Sequence, residues 1–343
     1  MKVLLCVFVA VFFIACGDTK DPKTLFAIEL ENQKTQVKKN EQLSVSIKNE
    51  EKRNIKTVNY FIDGKELTLT DGKLNFNIEK LGNKVLIAKI NFDDTSVDIT
   101  KKIKVLAEKS PEIYTYEILN TFPHDKTSFT QGLEFSNDTL YEGTGHRGES
   151  ILRKIEYTTG KVVQQINLDD SVFGEGITVL NDKVYQLSWQ SGLGYVYNKS
   201  NLSEIETFSY GKSKEGWGLC NDGEKIFKSD GTEKIWILNP KSLVEEDYIE
   251  TVTNKSVFNK ANELEYVDGK IYANVWQKES MMIIDATSGA IEGVVNFGGL
   301  KKQVTQHPKL DVLNGVAYHP TRKTFFVTGK NWDKLFEVRI IKK

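Results

Sequence analysis

The sequence predicts an all-β protein, a five-bladed β-propeller preceded by a small immunoglobulin-like β-sandwich. Three observations carry this. A strand–turn–strand segment recurs five times within residues 111–343. Residues 24–107 alternate apolar and polar side chains in short runs with no helical period. Glycine is common, at 25, and proline scarce, at 6, as many short strands joined by turns require.

In chain order, Met1-Lys2 leads into an apolar stretch over residues 3–15. Its thirteen residues are too few to span a bilayer. A basic start, a short apolar core and a small residue at the exit describe a secretory signal over residues 1–15. Ala15-Cys16-Gly17 resembles a bacterial lipoprotein cleavage site, with Cys16 as the lipid-modified first residue, although Phe13 stands where leucine is usual; the plainer alternative is an ordinary cleaved signal with an incidental cysteine. The expectation is an exported lipoprotein, held by its lipid in the periplasm or at the outer-membrane or cell surface. Residues 16–23 read as a polar tether.

Residues 24–107 carry the sandwich. Leu43-Ser44-Val45-Ser46-Ile47 is strict period two; Val58, Tyr60 and Ile62 form a second apolar face that ends at the turn Asp63-Gly64. Further turn signals at Asp71-Gly72 and Gly82-Asn83 separate later runs. Nothing in this region suggests chemistry, and a spacer or adhesion module is its simplest reading. Glu108-Lys109-Ser110-Pro111 reads as the linker.

The five copies are QGLEFSNDTLYEGTG from Gln131, EGITVLNDKVYQLSW from Glu175, WGLCNDGEKIFKSDG from Trp217, NELEYVDGKIYANVW from Asn262 and NGVAYHPTRKTFFVTGK from Asn314. Their aligned apolar positions, Leu133, Ile177, Leu219, Leu264 and Val316, are separated by 44, 42, 45 and 52 residues. A period of this length built from strands and turns marks propeller blades. One blade cannot bury both faces alone; packing blades around an axis covers them. Residues 113–122 are expected to supply the outer strand that closes the ring with the last blade.

Composition narrows function. With 46 basic and 47 acidic residues the net charge is −1, so there is no basic excess with which to bind nucleic acid. Of three cysteines only Cys220 lies in the body, and the four histidines, His124, His146, His307 and His319, are scattered without metal-ligand spacing. In a propeller the starts of the repeats converge at one mouth. Phe129, Thr130, Gln131, Phe173, Glu175, Trp217, Asn262, Glu263 and Asn314 are expected there, with Trp189, Trp276 and Lys330 from the repeat ends. An aromatic mouth with a few amide, acidic and basic groups describes a small-ligand site. Blander readings stand beside this one. Phe129 and Phe173 also suit packing between blades, Glu263 and Glu265 suit a wet channel, His124 and His146 suit surface or loop positions, and Asp230 suits a turn cap.

The stretches FPHDKTSFTQGLEF, YEGTG, FGEGITVLNDKVYQLSW, EGWGLCNDG, SDGT, NELEYVDGKIYANVWQ and DVLNGVAYHP…FFVTGKNWDKLFEV resemble, in order from Thr121 to Val338, the plant and bacterial glutaminyl cyclases. The resemblance implies a five-bladed propeller. It also implies an acyltransferase that closes an N-terminal glutamine of a peptide or protein into pyroglutamate with release of ammonia. It implies Glu175 as general acid/base and Lys330 as the stabiliser of developing negative charge. Gln131 and Asn262 would hold the substrate amide and amine, and Phe129, Phe173, Trp189, Trp217 and Trp276 would form the walls. No metal is required in such a reaction. A structural calcium is known in some members, but no Asp-rich loop here asks for one. The expected partners are Gln-initiated peptides and the membrane, reached by a monomer through its anchor. Two alternatives share the fold: a non-catalytic peptide- or glycan-binding propeller, and a calcium-dependent propeller hydrolase.

Overall fold

The computed structural model describes residues 21–343, so the expected signal segment, Cys16 and most of the tether lie outside the described residues. The chain divides into two compact units. The smaller contains Leu43–Leu74, Val85–Lys101 and the segment ending at Gln33; the larger contains Lys34–Gln42, Asn75–Lys84 and Lys102–Lys343.

The early strands form two sheets, one of four strands and one of five. Phe26–Leu30 pairs antiparallel with Gln42–Asn49 in the first, and Ile55–Ile62 pairs antiparallel with Gly82–Phe92 in the second. The period-two pattern buries Leu43, Tyr60, Ile62, Leu86, Ala88 and Ile90. Phe26 of one sheet meets Phe92 of the other edge-on at 4.8 Å, which is the packing of a sandwich core.

The larger unit contains five blades. The first four are runs of four antiparallel strands that start at Thr130–Ser136, Gly174–Leu180, Leu219–Asn221 and Ala261–Val267. The fifth is made of Leu313–His319, Thr324–Gly329 and Lys334–Lys342, and its outer strand is Glu112–Pro123 from the other end of the unit. The pairing runs from Tyr114 with Lys342 to Pro123 with Lys334, so the closing strand expected over residues 113–122 is present. Its start also pairs parallel with Ile291–Asn296, which joins blades four and five in one eight-stranded sheet.

One apolar cluster fills each junction between neighbouring blades, around Tyr141 and Tyr197, Leu187 and Trp236, Phe227 and Ala273, Val295 and Trp332, and Leu133 and Phe326. Nearer the axis the backbones nearly touch. A Cβ on Gly176 would stand 2.5 Å from Gly218 Cα, and one on Gly218 would stand 2.1 Å from the Asn262 carbonyl oxygen. Only glycine permits that approach.

Candidate active site

The innermost strands of blades one, two, four and five each break register at one place. The shifts fall between Thr130 and Gly132, Gly174 and Ile177, Ala261 and Leu264, and Leu313 and Val316. A bulge turns a side chain out of the pleat, and here it does so at Gln131, Glu175, Asn262 and Asn314. Trp217 occupies the same repeat position in blade three. The hairpin mouths also repeat. Gly145 N–H donates to Phe129 O, Trp189 N–H to Phe173 O, Trp276 N–H to Lys260 O and Lys330 N–H to Val312 O, at 2.9–3.0 Å. Where the mouth carries glycine, an aromatic ring takes the space: a Cβ on Gly145 would meet the Phe173 ring at 2.4 Å, and one on Gly231 the Trp217 ring at 2.5 Å.

These repeats enclose a cavity of about 200 Å³ lined by Phe129, Gln131, Phe173, Glu175, Trp189, Trp217, Asn262, Trp276 and Lys330. All nine residues to which the resemblance assigns a place in the site are therefore brought together; Thr130, Glu263 and Asn314, also expected at the mouth, do not line the cavity. The aromatic wall is built of two runs: Phe129 meets Phe173 edge-on at 6.2 Å and Phe173 meets Trp189 at 5.5 Å, while Trp217 meets Trp276 at 5.8 Å. Phe129 and Phe173 thus face the cavity as well as each other.

A hydrogen-bond chain crosses the floor. Asn262 Nδ2 donates to Asn314 Oδ1 at 2.9 Å, and Asn314 Nδ2 donates to Gln131 Oε1 at 3.3 Å and to the Thr130 carbonyl at 2.9 Å. Gln131 Nε2 then donates to Glu175 Oε1 at 3.1 Å. The chain fixes the amide orientations, since each donor must face an acceptor.

Glu175 and Lys330 are each only 5% exposed. Burial pushes the Glu175 carboxyl well above the usual carboxylate range; the Lys330 charge opposes this and the Glu215 charge adds to it. Burial likewise lowers the Lys330 ammonium below the usual lysine range, against the pull of Glu175 and Asp311. Lys330 Nζ also stands 4.5 Å from the centre of the Phe129 ring, a cation–π contact. Two groups of opposite charge type, each moved toward neutrality, share one pocket, a combination suited to proton transfer.

Two features were not foreseen. Glu215 accepts the indole N–H of Trp189 at 2.9 Å and that of Trp217 at 2.8 Å on the same oxygen, so one carboxylate sets two walls. Its position in EGWG matches that of Phe173 in FGEG, the one available signal. His124 is the second: it lies in the loop between Glu112–Pro123 and Thr130–Ser136, as expected, but its side chain is buried at 2% exposure, which corrects the surface reading. It bonds Glu142 at 3.1 Å and the Trp332 carbonyl at 2.8 Å. Glu142 also accepts from Thr130 Oγ1 at 2.7 Å and from Arg153 Nε at 2.8 Å. This buried network holds Thr130, which stands between Phe129 and Gln131 in the chain. Glu263 is corrected as well: it is buried and accepts the backbone N–H groups of Leu133 and Val316, tying three blades rather than lining a wet channel. His146 stays exposed, with its ring 4.0 Å from that of Phe129. Asp230 caps its turn through Thr232 and also accepts the Trp236 indole N–H.

Among the described residues no group of three or more His, Cys, Asp or Glu side chains is placed to hold a metal ion. The donors in the cavity are one carboxylate, two amides and an ammonium, a poor set for a calcium ion that takes six to eight oxygens.

Comparison with known proteins gives the same direction. The glutamine cyclotransferase family profile matches residues 88–340. A glutaminyl-peptide cyclotransferase of Arabidopsis thaliana is 37% identical over 235 residues, which cover 67% of this chain and 73% of that protein. The crystal structure of Myxococcus xanthus glutaminyl cyclase superposes with a TM-score of 0.63 and 31% identity, covering 68% of this chain and 99% of the other. The cavity described above lies within the matched residues, and the chain belongs to the glutamine cyclotransferase family.

Proposed function

We propose that the chain converts the N-terminal glutamine of peptides or proteins to pyroglutamate and releases ammonia, with Glu175 carrying the proton and without a catalytic metal. The observation that carries this reading is Glu175: a buried carboxyl of raised pKa, bonded to Gln131, in an aromatic cavity of about 200 Å³. The reaction is intramolecular. The neutral α-amine attacks the side-chain amide carbon, a C–N bond forms, and the oxygen takes negative charge. Glu175 accepts the amine proton and returns it to the departing nitrogen, which leaves as ammonia. In this reading Lys330, on the cavity wall, stabilises the oxyanion, and Gln131 and Asn262 supply amide groups that orient the substrate. The aromatic walls fold the flexible glutamine chain toward ring closure and exclude water. A calcium-dependent hydrolase is less well supported, because the donor set is poor in oxygen ligands.

The test is mass change and ammonia release on a short Gln-initiated peptide. The parent chain is expected to remove about 17 Da with or without chelator, and Glu175→Gln to lose roughly 10²–10⁴ in kcat. No mass change by the parent on several such peptides would leave a binding propeller as the better reading.

We further propose that the protein is an exported lipoprotein anchored through Cys16 and acts as a monomer, since one chain builds the whole cavity. Residues 24–107 then act as a spacer that holds the enzyme off the membrane. Expression with labelled palmitate should mark the parent and not Cys16→Ser; equal labelling would exclude this anchor.

A further inference from the structure

Beside the catalytic cavity lies a larger, open pocket of about 650 Å³ that shares Phe129 with it. Its rim carries the exposed cations Lys126, Arg147 and Lys309 against one carboxylate, Glu149. Among the described residues none of the three cations forms an ion pair; Arg147 Nε only donates to the Ser171 carbonyl at 3.2 Å, which steadies the guanidinium. The pocket is pre-formed. Asn331 N–H donates to the Ser128 carbonyl at 2.7 Å, and Asn331 Nδ2 reaches the Lys126 carbonyl at 3.4 Å. The His146 ring packs at a tilt against Phe129, 4.0 Å between centres, and burial holds its pKa below the usual histidine range.

We infer that this pocket receives the residues immediately after the N-terminal glutamine and selects peptides with acidic side chains there. The inference rests on the cyclase reading and adds its substrate preference. Once the glutamine side chain fills the small cavity, the rest of the peptide must leave through the mouth, and the Phe129 edge leads directly into the cationic pocket. A concave surface with an excess of one charge sign concentrates the opposite sign. Such rim charges act on substrate binding rather than on the chemical step, so the preference belongs in KM.

The experiment compares kcat/KM at low salt for three C-terminally amidated peptides that begin Gln-Asp-Asp, Gln-Asn-Asn and Gln-Lys-Lys. Each exposed ion pair contributes about 1.5- to 5-fold, so the acidic peptide is expected to exceed the basic one by about 10-fold, through KM. The ratio should shrink in about 0.5 M salt, where screening acts within a few ångströms. It should also fall toward about 2-fold in Arg147→Gln/Lys309→Gln. Equal kcat/KM for the three peptides in the parent chain would overturn the inference while leaving the cyclase reading intact. A ratio unchanged in the double variant would overturn it too. Failure to cyclise even the uncharged Asn peptide would instead remove the cyclase reading and this inference with it.

Discussion

At the scale of single residues, the proposed chemistry depends on two charges that act on Glu175 with opposite sign. Lys330 favours the carboxylate and Glu215 disfavours it, while burial dominates both. Removing the cation in Lys330→Met should raise the Glu175 pKa further, and removing the anion in Glu215→Gln should lower it. An infrared titration of the carboxyl band, taken as a difference against Glu175→Gln, reads the shift directly. Shifts of the same sign in both variants would mean that the two side chains act through structure and not charge. The cavity residues were legible in the sequence because five copies of one segment align them: Gln131, Glu175, Trp217 and Asn262 fall at one repeat position, and Trp189, Trp276 and Lys330 fall at the repeat ends. Glu215 was not legible, since between Lys214 and Gly216 it looks like any solvated loop charge. Its role comes from indole groups at Trp189 and Trp217 that only the fold joins. His124 was obscured for the same reason: its partners Glu142 and Trp332 are 18 and 208 residues away.

At the scale of elements, the alternation of apolar and polar residues announced the strands, and Asp-Gly and Asn-Asp turns announced their ends. What alternation cannot announce is a bulge, because the extra residue shifts the pattern by one place without changing its composition. Yet the bulges aim Gln131, Glu175 and Asn262, so the site depends on a detail below the resolution of the pattern. The glycines that follow the same repeat position in blades one to three, Gly132, Gly176 and Gly218, carry a clearer signal. Gly218 lies against the Asn262 carbonyl, and a methyl group there would press two blades apart beneath the cavity. Gly218→Ala is expected to cost about 1–3 kcal/mol as overpacking. That corresponds to a fall in Tm of about 2–4 °C per kcal/mol for a domain of this size. Because Asn262 moves with its backbone, kcat/KM for a Gln-initiated peptide should fall at least about 10-fold. A variant with the parent's melting curve and rate would show that the axis has slack.

At the scale of the whole molecule, the ring of blades is closed by contact as well as by connectivity. Gly132 approaches blade two, Gly176 approaches blade three, Gly218 approaches blade four, Asn262 bonds Asn314 of blade five, and Asn314 bonds the Thr130 carbonyl of blade one. Closure also traps acids. Glu134 and Glu265 are buried among the inner strands, and burial pushes the Glu134 carboxyl up to about 7. Burial, then the charges of Glu134 and Glu263, push Glu265 well above its ordinary value, against one backbone N–H from Tyr318. A carboxyl whose pKa is raised on folding contributes stability that is complete below its unfolded value of about 4.3 and is lost as pH rises through its folded value. Glu142 works the other way: its pKa is depressed by Arg153 and His124 against its burial, so its contribution disappears as pH falls. The parent chain should therefore melt highest in weak acid and lose stability between about pH 5 and 8. Glu265→Gln keeps an acceptor for Tyr318 and removes the charge. Its Tm should match the parent's at about pH 5 and exceed it by a few degrees at about pH 8, at about 2–4 °C per kcal/mol. A gain of equal size at both pH values would point to better packing, and no gain at the higher pH would mean that Glu265 is solvated as an anion. Only the pH-selective gain fits a carboxyl held neutral by ring closure.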